Sequence, residues 1–326
     1  MKRIVAIIVS VIAILAVALY SIFSHRENIR IDQSVREKTG LDYVKLSDGY
    51  TAYQLNGPDT GQVVVMIHGG TIPMCVFKFQ GDAFAEAGYR VLLYDQYGRG
   101  ESDRPKAENN RSLFKRQLSE LLCSLDINAP VDLLGPSFGG SIAVTFASKF
   151  PERVRSIVLI APVLNLPGSD SPMNKNLSLV RIPAVGRVIA DLFLFNRLIK
   201  RGGTLVPGGE GSHCESQFHR QFYYKGTSRS MRSLFTSDAF GSYIPETKAT
   251  GQLIQNILLI RGSLDEEVTP SMIEDVLGLL PNASFVEMEH IGHAPGAEAP
   301  ERFNEIVLTF LSQINTDMNE LTDDLH

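Results

Sequence analysis

Residues 131–149 read VDLLGPSFGGSIAVTFASK and carry three signals in a row. Residues 131–134 (VDLL) form a short apolar run, the pattern of a strand buried on both faces. Residues 138–149 are small and apolar in a helix-compatible pattern. Between them lies Gly135-Pro136-Ser137-Phe138-Gly139, a G-x-S-x-G pattern followed by Gly140. A strand that passes into a helix through so few residues must turn sharply. The central residue then takes a strained backbone conformation, and its neighbours must be small to avoid collision. Ser137 is expected to project from the sheet's end at a helix N-terminus, where unspent N–H groups can face negative charge.

The rhythm extends in both directions. Strands are expected at 41–46, 50–55, 63–68 and 90–94 before this stretch, and at 154–160, 257–261 and 284–288 after it. Helices are expected at 79–87, 111–125, 271–280 and 300–314. Alternation of this kind means an α/β fold, a mostly parallel central sheet flanked by helices on both faces. One interruption, about 163–250, breaks it. That segment holds 11 Lys+Arg against 6 Asp+Glu, whereas the rest of the chain holds 20 against 30. With its Gly-rich stretch (Gly202, Gly203, Gly208, Gly209, Gly211) and the basic amphipathic run 181–201, it reads as an inserted helical cap. The main α/β body is thus expected over 38–315, with 316–326 an acidic, frayed tail.

The amino terminus differs. Ile4 to Phe23 is a 20-residue run with no charge, preceded by Lys2 and Arg3. A helix of that length covers about 30 Å, the thickness of a bilayer's hydrocarbon core. Residues 1–25 are read as an uncleaved transmembrane signal anchor, with the domain on the non-cytoplasmic side. The alternative is cleavage near Ala18, because Ala16-Val17-Ala18 has the small-x-small spacing of a processing site.

Composition excludes other classes. The 326 residues carry a net charge of −5, which argues against nucleic-acid binding. Cys75, Cys123 and Cys214 are too few and scattered for a disulfide framework or a zinc site, and no metal or cofactor is expected.

A serine nucleophile needs a base within hydrogen-bond reach. Among seven histidines, His290 and His293 lie in the loop after the last strand, where a base can swing over the sheet's carboxyl edge. An orienting acid should follow another strand end, and Asp265 does so; Glu266 and Glu267 read as solvated companions. The chain order is nucleophile, acid, base.

These pieces resemble the α/β-hydrolase superfamily in its single-domain form with a cap between the sixth and seventh strands. The matching motifs are HGG at 68–70, DQYGRGES at 95–102, GPSFGG at 135–140, GSLD at 262–265, and Gly292-His293 followed by Glu298-Ala299-Pro300-Glu301. The resemblance selects His293 over His290 as base. It implies oxyanion donors at the N–H groups of Gly70 and Phe138, with Thr71 a nearby alternative, and a loop-anchoring role for His68. It also implies a Ser137–His293–Asp265 serine hydrolase acting on a small carboxylic ester or other acyl substrate. The anchor and the basic cap extend that to lipid esters and a membrane partner. A proline iminopeptidase is the alternative, although Thr71 departs from the HGGPG form usual there. A third reading, a catalytically idle binding protein, lacks its usual mark, a missing triad member.

Overall fold

The computed structural model describes residues 2–24, 27–164, 195–209 and 211–323. The first helix, α1, runs Lys2–Ser24 and leaves Ile4, Ile7, Ile8, Ile12 and Ile14 exposed. The side chains of Val17 and of residues 20–24 lie outside the described set, and among the described residues no helix is long and apolar enough to cross a membrane.

Eight strands form one sheet: β1 (Asp42–Leu46), β2 (Gly49–Asn56), β3 (Val63–Ile67), β4 (Arg90–Tyr94), β5 (Val131–Pro136), β6 (Val154–Ile160), β7 (Asn256–Gly262) and β8 (Ala283–Met288). Their order is β1-β2-β4-β3-β5-β6-β7-β8. Pairing is antiparallel for β1–β2 and β2–β4 and parallel everywhere else. The apolar runs explain this burial, because successive side chains leave the sheet on opposite faces. On β3, Val65 and Ile67 pack on one face and Val64 and Met66 on the other.

Helices α2 (Lys78–Glu86), α3 (Arg111–Ser124) and α4 (Phe138–Lys149) cover the sheet, joined by others later in the chain. Helix α3 begins at Asn110, whose side chain accepts from the N–H of Leu113 at 3.0 Å and so satisfies one of the first-turn donors. The insertion between β6 and β7 contains α5 (Phe195–Leu205), α6 (His213–Arg220), α7 (Thr227–Thr236) and α8 (Ile244–Leu253). Most of the basic run read at 181–201 falls outside the described residues. Helix α8 belongs to the sheet layer rather than to the cap proper, since the Thr250 hydroxyl donates to Val144 O of α4 at 3.2 Å.

The chain closes with α9 (Pro270–Leu279), the short α10 (Pro295–Glu298) and α11 (Pro300–Asp323). Phe303, Val307, Leu311 and Ile314 lie on one face of α11 at helical spacing and pack under the sheet. The expected frayed tail is corrected here: the backbone stays helical to Asp323, past the last residue of that buried stripe, and residues 324–326 lie outside the described set.

The reading of the cysteines also needs correction. Cys75 and Cys214 are joined in a disulfide, 139 residues apart, while Cys123 is free and exposed. Spacing could not show it, because the bond ties the cap to the segment after β3 through tertiary contact alone. Side chains reinforce the same junction. Buried Glu101 receives Arg220 and the Tyr224 hydroxyl from the cap. Gln221, fully buried, donates to Thr71 O and accepts from the N–H of Gly100, both at 3.1 Å.

Candidate active site

The parallel strands β5, β7 and β8 deliver three chain segments to the sheet's carboxyl edge. Ser137 follows β5 directly and precedes α4, with φ 50° and ψ −119°. Such a conformation costs about 1–3 kcal/mol for a residue with a side chain and persists only where its surroundings hold it. Here the Ser137 N–H donates to Ile160 O at 2.8 Å, and its carbonyl accepts from Gly140 and Val163 at 3.1 and 3.2 Å. Close approach explains the flanking glycines. A β-carbon on Gly139 would stand 1.9 Å from Ile67 O, so α4 could not sit against β3.

The loops after β7 and β8 are locked together. The N–H of Leu264 donates to Ile291 O at 2.8 Å, and a β-carbon on Gly262 would stand 2.2 Å from Gly292 O. That contact aligns Asp265 with His293: Oδ2 lies 2.8 Å from the ring's Nδ1. The other carboxylate oxygen, Oδ1, accepts from the N–H groups of Glu267 and Val268 at 2.8 and 3.1 Å. Because the Asp265 carboxylate accepts, Nδ1 is assigned the proton, which leaves Nε2 with its lone pair. Glu298 clamps the base's backbone from both sides, accepting from the N–H groups of Gly292 (2.7 Å) and Ala294 (3.0 Å). His290 lies apart, exposed at φ 64°, its N–H donating to the Ser263 hydroxyl. Among the described residues the Ser137 hydroxyl makes no hydrogen bond to His293. Catalytic pairs are often loose without substrate and tighten when it binds.

Glu267 corrects an expectation. Read as a solvated companion, it is half-buried, with Oε2 3.9 Å from His293 Nε2. Glu266 is exposed, as expected.

The loop after β3 supplies the opposite wall. Positions for β-carbons on Gly69 and Gly70 fall 3.7 Å from the β-carbons of Ser137 and Phe138 respectively, so HGG lies against the elbow. His68 is fully buried and holds this loop. Its Nε2 accepts from the N–H of Gln96 at 2.9 Å, so Nδ1 is assigned the proton and donates to Gly69 O at 2.7 Å. Burial, with the Arg99 charge adding to it, drives the His68 pKa down to about 3, and the ring is neutral. The Gly69 carbonyl and the Gly70 N–H belong to one planar peptide, so holding the first aims the second. Arg99, also buried, donates from Nε to Gly70 O at 2.8 Å; burial and then Arg104 lower its pKa to about 9. Asp95 ties the turn beneath, accepting from Met74 and Glu101 N–H groups at 2.8 Å, and burial raises its pKa to about 6.

Sequence reading missed Glu298, Arg99 and Gln221 as supports of the site. Glu298 and Arg99 stood inside quoted motifs, but nothing local shows which backbone group a side chain will reach. Gln221 had no local signal at all. Among the described residues no cluster of His, Cys, Asp and Glu has the arrangement of a metal site.

Comparison with known proteins places the chain. A family model described as "alpha/beta hydrolase fold" matches residues 62–300. The chain is 30% identical to a 2-hydroxy-6-oxononadienedioate/2-hydroxy-6-oxononatrienedioate hydrolase of Paraburkholderia phymatum, over 83% of this chain and 95% of that one. It is 22% identical to Lipase 1 of Psychrobacter immobilis, over 83% of this chain and 84% of that one. A solved structure of a membrane phospholipase A superposes with a TM-score of 0.67 at 23% identity, covering 97% of this chain and 99% of that one.

Proposed function

Because the chain belongs to the α/β-hydrolase family and is a hydrolase, we propose that it is a membrane-anchored serine hydrolase that cleaves carboxylic esters, lipid esters among them. The observation that carries this reading is the Asp265–His293 pair at 2.8 Å beside the strained elbow that presents Ser137.

The steps follow from the groups present. Ser137 Oγ attacks the acyl carbonyl as His293 Nε2 takes its proton. Asp265 holds the Nδ1–H and stabilises the imidazolium without taking the proton itself. The oxyanion is met by the Gly70 and Phe138 N–H groups; one such donor is worth about 3–4 kcal/mol in comparable sites. His293 returns the proton to the leaving alcohol, and the acyl-enzyme is then hydrolysed by water that gives its proton to the same nitrogen.

Membrane attachment through α1 is supported by the uncharged run and by likeness to a membrane phospholipase A along nearly the whole chain. A non-cytoplasmic location is supported by the Cys75–Cys214 bond, since such bonds persist in oxidising compartments. The 30% identity to a hydrolase of 2-hydroxy-6-oxo dioic acids favours a second reading, carbon–carbon bond cleavage in a small diketo acid.

A fluorophosphonate probe and a substrate panel test the proposal. The full chain should be labelled on Ser137 and should turn over p-nitrophenyl esters and phosphatidylglycerol vesicles. Ser137→Ala should lose both labelling and turnover at an unchanged melting temperature. Turnover retained in that variant would move the nucleophile elsewhere. Faster cleavage of a 2-hydroxy-6-oxo dienoate than of any ester would replace the ester reading with the second one.

A further inference from the structure

The residues just after α1 are bound to the cap. The N–H of Ile29 donates to Tyr223 O at 2.9 Å, and Ile29 O accepts from the N–H of Lys225 at 2.8 Å, an isolated parallel bridge. Two residues earlier, the Glu27 carboxylate accepts from the N–H of Gly226 at 2.8 Å and from the N–H of Ser228. These amides open α7. Its N-cap residue is Gly226, at φ 97°, which has no side chain with which to satisfy the first turn. The cap is therefore supplied by Glu27, some 200 residues earlier in the chain. A carboxylate there satisfies two donors and opposes the helix dipole.

Helix α7 matters because of what its other end touches. Leu234 Cδ2 lies 3.6 Å from where a β-carbon on Gly70 would stand, and the ring of Phe240, just after α7, lies equally close. Phe240 stacks on Phe138 with centroids 5.4 Å apart. Both expected oxyanion residues are thus roofed from this part of the cap. The body of α7 is also held by the core: Arg229 donates to Pro105 O at 2.7 Å, and the Ser233 hydroxyl accepts from the N–H of Asn109 at 2.8 Å. The first turn is anchored besides by Thr227, whose hydroxyl donates to Gln221 O at 2.7 Å and accepts from Arg104 Nε at 3.1 Å. Glu27 adds the anchor that comes from the segment after α1 and takes up the two backbone donors. Five peptide steps join Ser24 to Ile29, a reach of at most about 18 Å.

The structure assigns Glu27 as a positioning residue, which aligns α7, and with it the apolar roof over Ser137, to the segment that leaves α1. The assignment rests on the serine-hydrolase reading for its probe. It predicts that long acyl chains, which must pass beneath the roof, depend on Glu27, and that short ones do not.

The test uses the full chain in detergent micelles and compares labelling rates of Ser137 with ethyl and dodecyl fluorophosphonates. In Glu27→Ala the dodecyl-to-ethyl rate ratio should fall about fivefold, the population change that follows from losing one helix cap. Glu27→Gln keeps one acceptor oxygen and should fall between. An unchanged ratio, or an equal fall in both rates with a lower melting temperature, overturns the assignment. If neither probe labels the native chain, the hydrolase reading fails by itself. Hydrogen exchange at the Ser228 amide then decides, with protection lost in Glu27→Ala if the assignment holds and retained if it does not.

Discussion

His68 illustrates how much one buried side chain can carry without touching a reacting atom. Its neutral ring holds the Gly69–Gly70 peptide, so its loss should misalign the expected oxyanion donor. His68→Asn is expected to lower kcat about tenfold or more, below the 10²–10³ of removing a donor outright, with KM for a short ester little changed. The same residue leaves a trace in stability. Its folded pKa, about 3, lies below the ordinary histidine value of 6.5. Stability from the neutral ring is whole above pH 6.5 and is lost as pH falls, by about 1.4 kcal/mol per unit. Asp95 acts oppositely: its raised pKa, about 6, means that stability grows as pH falls from 6 towards 4. Denaturant titration at pH 7, 6 and 5 should therefore show a smaller acid loss in His68→Asn than in the native chain. An identical slope in both would remove His68 from the linkage. Ser137, Asp265 and the His290/His293 loop could be placed at strand ends beforehand from local motifs, and the choice of His293 came from the family resemblance. Glu267 was not: its approach to His293 depends on how two loops close on each other, which neither loop encodes alone.

Among the elements, strands were the most readable. All eight appear within two residues of expectation; for the central strands β3 to β7 the reason is that burial on two faces demands uninterrupted apolar residues. Helix α11 runs nine residues past its expected end at 314, to Asp323, although its buried stripe stops at Ile314; extending a helix that is already nucleated costs little. The cap was readable as an insertion but not in its attachments, which are all long-range. Its disulfide is the clearest case. Thiol titration of the unfolded chain should find one reactive cysteine before reduction and three after. Replacing Cys75 and Cys214 together by serine should cost about 2–4 kcal/mol, given the length of chain that the bond closes. A native-like melting temperature in that double variant would show that the bond contributes little.

For the whole molecule, a net charge of −5 concealed a split between a basic insertion and an acidic body. The proposed membrane attachment would use both the split and the apolar α1, since a basic insertion and an apolar helix suit a surface of lipid phosphates. Deleting residues 1–24 should shift the protein from the carbonate-resistant membrane fraction to the supernatant. It should leave p-nitrophenyl butyrate hydrolysis within about twofold, and lower the rate on phosphatidylglycerol vesicles by an order of magnitude or more, as expected when a tethered encounter becomes a free one. Equal losses on both substrates would instead mean that α1 supports folding.

The bond between Cys75 and Cys214 also bears on how the protein is made. If the proposed non-cytoplasmic location holds, export amino end first offers the cysteines in the order 75, 123, 214, and the native pair passes over the middle one. Oxidation during emergence favours the first two, a linkage that must be undone by thiol–disulfide exchange before the cap can close. Maturation is then expected to depend on a disulfide isomerase. Cys123→Ser, at an exposed position, should relieve that dependence and raise the yield of active protein in isomerase-deficient cells, measured as labelled Ser137 per milligram of membrane.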